Sequence, residues 1–214
     1  MACGVEKYLG FDPNNSLRNS HKRMIEMFGG GDEQRFQVIY LPFQSYEFED
    51  KQSFDLVFTS PPFFDFEIYS NEKTQSIQSF PKFNDWIVQF LFVSLTKSWE
   101  QLEIGGHLVI HLNDTSSIRI CEILCLFCVS QLENCLLHGL LPSESARNPN
   151  KLVSIWVFKK IASMNEFQRE SKKRSTQIFK SQHKKIFQFS TNFFKKKRNQ
   201  NMHPKTKQNK KPKN

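Results

Sequence analysis

Strand-like and helix-like segments alternate along the first 160 residues of this 214-residue chain. The strand-like segments are short apolar runs that end at a polar or turn-forming residue. The helix-like segments repeat apolar side chains every three or four positions. Strands that alternate with helices of this length need crossover connections, so the pattern predicts an α/β fold with a mostly parallel sheet. The strand-like runs are 8–11, 36–41, 54–59, 107–112 and 152–159, and the helix-like runs are 17–28, 83–102 and 118–137.

The charge of the chain is divided unevenly between two parts. Residues 1–160 hold 14 basic and 19 acidic residues, whereas residues 161–214 hold 16 basic and 2 acidic ones. This shift predicts a globular domain over 1–160 and a basic, low-complexity tail over 161–214, disordered from Lys195 onward. Such a tail suits a polyanion: nucleic acid, an acidic partner or an anionic membrane surface. The alternative is a coding bias that raises the content of Lys, Asn, Phe and Ile together.

The spacing of the cysteines and the length of the apolar runs indicate in which cellular compartment the protein works. Cys121, Cys125, Cys128 and Cys135 fall at spacings that suit one helix face, which favours packing over a metal site or a disulfide framework. No apolar run reaches the roughly 18 residues that a membrane helix needs. We therefore predict a soluble, intracellular protein, cytoplasmic or, in a eukaryote, nuclear, with no bound metal.

Four residues directly after the strand-like run 54–59 carry the clearest chemical signal. In open α/β sheets, ligands bind outside the carboxyl ends of the strands. Pro61 and Pro62 lack N–H donors but keep their carbonyls, Ser60 adds a hydroxyl acceptor, and Phe63 offers a flat apolar face. This acceptor-rich corner suits a planar ring with an exocyclic amino group, whose lone pair would be aimed at an electrophile. A rigid turn without a ligand is the alternative.

The run 54–63, Phe-Asp-Leu-Val-Phe-Thr-Ser-Pro-Pro-Phe, resembles the catalytic motif of S-adenosylmethionine-dependent amino-methyltransferases. That motif is Asp, Asn or Ser, then Pro-Pro, then an aromatic residue, and its members methylate adenine N6 or cytosine N4 in DNA. The following residues, 64–70, resemble the continuation seen in phage- and virus-type members, and the resemblance covers about residues 7–160. It implies that Ser60 and the carbonyl of Pro61 hold the amine, that Pro62 belongs to the same catalytic corner, and that Phe63 stacks on the base. A base in a duplex would have to be flipped out.

Two further segments resemble the family's cofactor site. Residues 8–14 resemble its second strand, and Asp12 and Asn14 would then lie against S-adenosylmethionine, with Asp12 on the ribose hydroxyls. Pro42 and Phe43 stand where the family packs the cofactor's adenine. Asp12 could instead cap the following helix, and Phe43 could be part of the core.

One part of the family pattern has no counterpart in the sequence. Family members carry a first strand and a Phe-x-Gly-x-Gly turn before the second strand, but only Met1–Lys7 precede it here. The resemblance therefore implies a class I, Rossmann-like sheet that lacks its first strand, which normally lies between the second and the fourth. A truncated enzyme, a substitute segment and an inactive relative are all consistent with this.

Three functions stay open at this point. The first is methylation of an amino group in DNA, and the second is the same chemistry on RNA. The third is a catalytically inactive, nucleic-acid-binding remnant. The active-site face and the basic tail would contact the nucleic acid in each case.

Overall fold

The computed structural model of the chain describes residues 4–69, 72–115, 118–145 and 148–201. A π-helical segment, Trp86–Phe92, joins two of the helices without a break. The strands are β1 (Tyr8–Phe11), β2 (Phe36–Ile39), β3 (Phe54–Thr59), β4 (Leu102–His111), β5 (Cys135–Ser145) and β6 (Asn148–Lys160). The helices are α1 (Arg18–Gly29), α2 (Ser76–Ser79), α3 (Phe83–Asp85), α4 (Val93–Gln101), α5 (Ile120–Gln131), α6 (Glu166–Gln182) and α7 (Lys184–Asn201).

The strands form two separate ladders. β1 pairs in parallel with β2, while the second ladder has the order β3-β4-β6-β5. β3 runs parallel to β4, and β6 runs antiparallel to both β4 and β5. Within the described residues, no strand pairs with the edge of β1 opposite β2 or with the edge of β3 opposite β4. We call these two edges the inner edges. The predicted α/β fold is confirmed, but the prediction of a mostly parallel sheet is wrong, because β6 pairs antiparallel with both β4 and β5. The sheet is interrupted at the position where the resemblance places the first strand.

The chain between β1 and β2 has a defined cap at each end of its helical segment. The side chain of Asn14 accepts a hydrogen bond from the backbone N–H of Ser16 at 3.0 Å and starts a 3₁₀ turn that leads into α1. Gly30 ends α1 at a φ of +65°, a left-handed conformation that glycine adopts without steric cost. This cap returns the chain to form β2 beside β1.

The main core lies between the helices and the β3–β6 ladder. Trp86, Ile87 and Phe92 in the π-helical segment are fully buried. The ring of Phe92 stacks on Phe127 of α5, with 3.7 Å between centroids and 8° between planes. Burying side chains of this size contributes about 1.5–3 kcal/mol each. The long helical segment therefore fixes the face of the ladder against which it packs.

The end of β6 ties the sheet to α4. Lys160 Nζ donates to the carbonyl oxygens of Trp99 at 2.7 Å and Leu102 at 2.8 Å. The carbonyl of Trp99 also accepts the backbone N–H of Leu102, the residue that ends α4 and begins β4. The ammonium group of Lys160 thus caps α4 and holds it against the start of β4.

The basic segment after residue 160 is helical as far as the structure describes it. Both α6 and α7 lie in it, so the prediction of disorder from Lys195 onward is wrong up to Asn201, and residues 202–214 lie outside the described part of the chain. Phe179 is fully buried, with its ring centroid 6.2 Å from that of Phe92, and Ile186 also belongs to the core. A few apolar side chains at helical spacing are therefore enough to pack this mostly polar segment against the core.

The predicted helix over 118–137 is too long. α5 stops at Gln131, Asn134 has a left-handed φ of 51°, and the chain then forms β5, which the sequence did not predict. Cys135 consequently lies on a strand, apart from the three cysteines of α5. β4 also begins earlier than predicted, because Gly105, at a φ of +93°, lets the strand continue through an irregularity where we expected a break.

Replacing Phe179 tests whether the basic segment shares the core. Phe179→Ala removes a fully buried ring and should lower the free energy of unfolding by about 3–5 kcal/mol. Phe167→Ala, on the same helix but 80% exposed, is the matched control and should change it by less than about 0.5 kcal/mol. Urea denaturation followed by circular dichroism measures both. Equal effects of the two variants would contradict the described packing of α6.

Candidate functional site

A large cleft lies between the two inner edges. Its volume is about 1290 Å³, and its walls include β1 with the residues that follow it, and β3 with the residues that follow it. A π-helical and α-helical surface, including Leu91 and Leu95, forms part of the lining. Among the residues predicted for the site, the cleft brings together Asp12, Asn14, Pro42, Phe43, Ser60, Pro61 and Pro62.

Asp12 lies directly after β1 and is partly exposed to the cleft. Its Oδ1 accepts a hydrogen bond from the backbone N–H of Asn14 at 2.9 Å, and its Oδ2 lies 3.9 Å from Nε2 of His21. A carboxylate offers about four acceptor positions, so these contacts leave capacity for a ligand. The cap that starts the following 3₁₀ turn is Asn14, whereas Asp12 orders the loop around it.

An aromatic cluster borders the cleft beside Asp12. The ring of Phe43 lies 4.9 Å from that of Phe11, and Phe48 is 6.2 Å from Phe43. These three rings are partly buried, and all three line the cleft. Phe43 is therefore both a packed residue and part of the apolar wall of the cleft.

Ser60 belongs to a hydrogen-bonded chain at the ends of β3 and β4. Its Oγ lies 3.0 Å from Nδ1 of His111, and Nε2 of His111 lies 3.4 Å from the side-chain nitrogen of Asn113. Asn113 Oδ1 accepts the backbone N–H of Ser154 at 2.9 Å, which orients the amide nitrogen toward His111. Nε2 of His111 must then accept a hydrogen bond from the Asn113 amide nitrogen. In the neutral ring the proton is therefore on Nδ1, which donates to Ser60 Oγ. His111 lies in the strand-like run 107–112 that the sequence predicts, but the sequence analysis did not predict its contact with Ser60.

Some residues of the diproline corner line the cleft, and others are buried in the core. Pro61 and Pro62 line the cleft, but Phe63 is only 9% exposed and packs in the core, with its ring 5.8 Å from that of His111. Phe64 follows with a left-handed φ of 56° and is also buried. Such a conformation is unfavourable for a bulky residue and is kept only where packing enforces it. Two buried aromatic side chains thus fix the corner to the core.

An exposed aromatic residue lies farther along the same loop. Tyr69 is 61% exposed and lines the cleft. Its hydroxyl donates to Glu67 at 2.8 Å, and desolvation together with this carboxylate raises the pKa of Tyr69 to about 12. The phenol therefore stays neutral at physiological pH. An aromatic residue in a polar loop was the only sequence signal for it, and we did not single it out.

Two negative findings apply to the described residues alone. No group of three or more His, Cys, Asp or Glu side chains there is arranged to hold a metal ion. In the same residues, none of the helices combines the length and the apolar character that crossing a membrane requires.

The comparisons with known proteins support the fold. No family model and no curated protein sequence matches the chain. A solved structure titled StiE O-MT residues 942–1257 superposes with a TM-score of 0.50 at 9% identity, over 81% of this chain and 65% of that one. The fold is that of class I, Rossmann-like methyltransferases.

Two other solved structures resemble the chain less closely. An rRNA methylase from Streptococcus thermophilus has a TM-score of 0.45 at 11% identity, over 72% of this chain and 74% of that one. A SAM-dependent O-methyltransferase from Thermotoga maritima has a TM-score of 0.42 at 12% identity, over 75% of this chain and 52% of that one.

The hydrogen-bonded chain predicts the tautomer of His111. In the wild-type protein at a pH where the ring is neutral, the proton should be on Nδ1. Asn113→Asp keeps the acceptor for Ser154 but removes the donor to Nε2, so the proton should move to Nε2. Two-dimensional ¹H–¹⁵N NMR of the imidazole nitrogens measures both states. A wild-type ring protonated on Nε2, or a variant ring unchanged from wild type, would contradict the proposed orientation of Ser60.

Proposed function

We propose that this protein binds S-adenosylmethionine in the cleft and transfers its methyl group to the exocyclic amino group of adenine or cytosine in DNA. The observation that supports this most is that one cleft joins Asp12, after β1, with the Ser60-Pro61-Pro62 corner, after β3. The family motif requires these two elements to face a common space, one for the cofactor and one for the amine. The sequence alone did not ensure that, because 47 residues separate Asp12 from Ser60 along the chain.

The cofactor half of the cleft has suitable chemistry. The remaining acceptor positions of Asp12 can take hydrogen bonds from ribose hydroxyls, and Asn14 and Pro42 lie beside it on the cleft wall. Phe43 offers an apolar surface to an adenine ring. When bound, S-adenosylmethionine supplies an electrophilic methyl group. The residues here bind and orient it.

The amine half is arranged to accept N–H groups. Ser60 Oγ receives a hydrogen bond from His111 and keeps acceptor capacity for an incoming amine. The carbonyl of Pro61 provides a second acceptor at a corner whose backbone is rigid. Two fixed acceptors orient the amino group so that its lone pair points away from them. Asn113, through His111, positions Ser60 for this role.

The stacking surface for the base involves two candidate rings. Phe63 is the residue of the motif, but its ring is buried, so stacking requires that it turn out of the core. Tyr69 is already exposed in the same cleft and is neutral. We propose that a flipped base stacks on Tyr69 and that Phe63, in the core, holds the diproline corner in place.

The basic helices suit a nucleic-acid backbone. α6 and α7 carry most of the positive charge after residue 160, and the run Lys195–Arg198 lies in the last turns of α7. Lys197 Nζ lies 5.8 Å from the ring centroid of Phe193, so charge and aromatic surface occur together. We propose that these helices contact phosphates without reading sequence. The RNA alternative uses the same chemistry.

Methylation of matched oligonucleotides tests the proposal. The full-length protein, with methyl-labelled S-adenosylmethionine, should label single-stranded or duplex DNA at an amino group. Ser60→Ala should lower the rate about 10²-fold, as expected for loss of a positioned hydrogen-bonding group, with cofactor affinity within about twofold. Faster labelling of RNA of the same sequence would reassign the substrate. A rate unchanged by Ser60→Ala would remove the amine site, and no labelling of either nucleic acid would favour the inactive relative.

A further inference from the structure

We propose that the cleft between the inner edges of β1 and β3 binds an extended, apolar β-strand from a second polypeptide. This strand would complete the interrupted sheet by pairing with β1 on one side and β3 on the other. The proposal rests on strand pairing and does not depend on the methyltransferase function.

The hydrogen bonds of β1 show which of its backbone groups face the cleft. Tyr8 N–H donates to the carbonyl of Arg35 at 2.8 Å, and Asp12 N–H donates to the carbonyl of Ile39 at 3.0 Å, so both point toward β2. Backbone groups of successive residues in a strand point alternately to the two sides. Leu9 and Phe11 therefore direct their N–H and C=O groups toward the cleft, and an incoming strand would pair with them.

Two apolar side chains on one face of β3 are exposed. Leu56 is 54% exposed and Phe58 is 63% exposed, although the strand pairs with β4 on its other edge. Parallel strands in α/β proteins are usually covered on both faces, and long apolar edges attract further strands. Both residues line the cleft. An apolar strand alongside β3 would cover them.

One hydroxyl group on the helical wall of the cleft lacks a hydrogen-bond partner among the described residues. Ser94, in α4, lines the cleft, and its hydroxyl is buried without a hydrogen-bond partner among the described residues. Leu91 and Leu95 lie on the same wall and are almost fully buried. A strand laid along this wall would place backbone groups near the hydroxyl of Ser94.

The volume and the charge of the cleft indicate which kind of peptide segment it can bind. The volume of about 1290 Å³ exceeds the roughly 300–1,000 Å³ of small-molecule sites, so a cofactor at the strand ends leaves room along the strands. Glu6, Asp12, Asp55 and Glu103 line the cleft with Lys7, so its walls are acidic overall. The occupant is therefore a run of about five or six Val, Ile or Leu residues, which matches the length of β3, with Lys or Arg at its ends.

A synthetic peptide tests the proposal with the full-length protein. The probe is a fluorescein-labelled peptide of six alternating Val and Ile residues flanked by two lysines on each side, and its binding is followed by fluorescence anisotropy. Saturable binding is expected. Phe58→Asp should weaken it at least tenfold by placing a charge on the inner edge. Phe167→Asp, at an 80% exposed ring on α6, should stay within twofold of wild type.

A backbone-modified peptide provides a test on the wild-type protein alone. N-methylation of alternate residues keeps the side chains but removes the N–H donors on one edge, so it should weaken binding at least tenfold. Saturation with the unmodified peptide should slow hydrogen exchange of the Leu9 and Phe11 amides about tenfold while leaving the Tyr8 amide unchanged.

Several results would overturn the proposal. These are absence of saturable binding, equal binding of the N-methylated peptide, equal losses in the two Asp variants, and unchanged exchange at Leu9 and Phe11. Self-association of the protein without peptide that Phe58→Asp abolishes would assign the cleft to a second copy of this chain, which also overturns it.

Discussion

The interruption of backbone pairing between β1 and β3 determines the shape of this molecule. Each of these strands has a partner on its outer side, β2 or β4, and none on its inner side within the described chain. Because the helical wall behind the gap stays in place, a cleft opens where a continuous sheet would have backbone hydrogen bonds. The residues that follow β1 and β3 then border one space. The proposed cofactor site, the proposed amine site and the proposed strand-binding site all depend on this gap.

The core explains why the interrupted sheet keeps its position. The π-helical segment and α4 pack on the β3–β6 ladder, Lys160 caps α4 from the end of β6, and α6 places Phe179 against the same core. The Ser60-Pro61-Pro62 corner stands on Phe63 and Phe64, which are buried in that core. The amine site therefore belongs to the larger ladder, whereas Asp12 belongs to the small β1–β2 ladder. An occupant of the cleft would touch both parts.

The sequence predicts the elements near the site well and the later elements poorly. β1 and β3 have the predicted bounds, because each is a short apolar run that ends at a strong breaker. β5 was missed because Ile118–Leu137 keeps an apolar helical pattern past the point where Asn134 turns the chain. α6 and α7 were missed because composition hid the buried Phe179. The contact of Ser60 with His111 joins the residue after β3 to the last residue of β4, so only the pairing of these strands reveals it.

Binding of S-adenosylmethionine to the cleft is the central claim, and isothermal titration calorimetry of the full-length protein tests it most directly. The account predicts saturable binding that Asp12→Ala weakens at least about tenfold, because charge-assisted hydrogen bonds to the ribose are lost. Asp32→Ala is the matched control: Asp32 also accepts backbone N–H groups, those of Gln34 and Arg35 at 3.1 Å, but lies outside the cleft lining. Its affinity should stay within twofold of wild type. Absence of binding to the wild-type protein, or equal affinities of the Asp12 and Asp32 variants, would contradict the account.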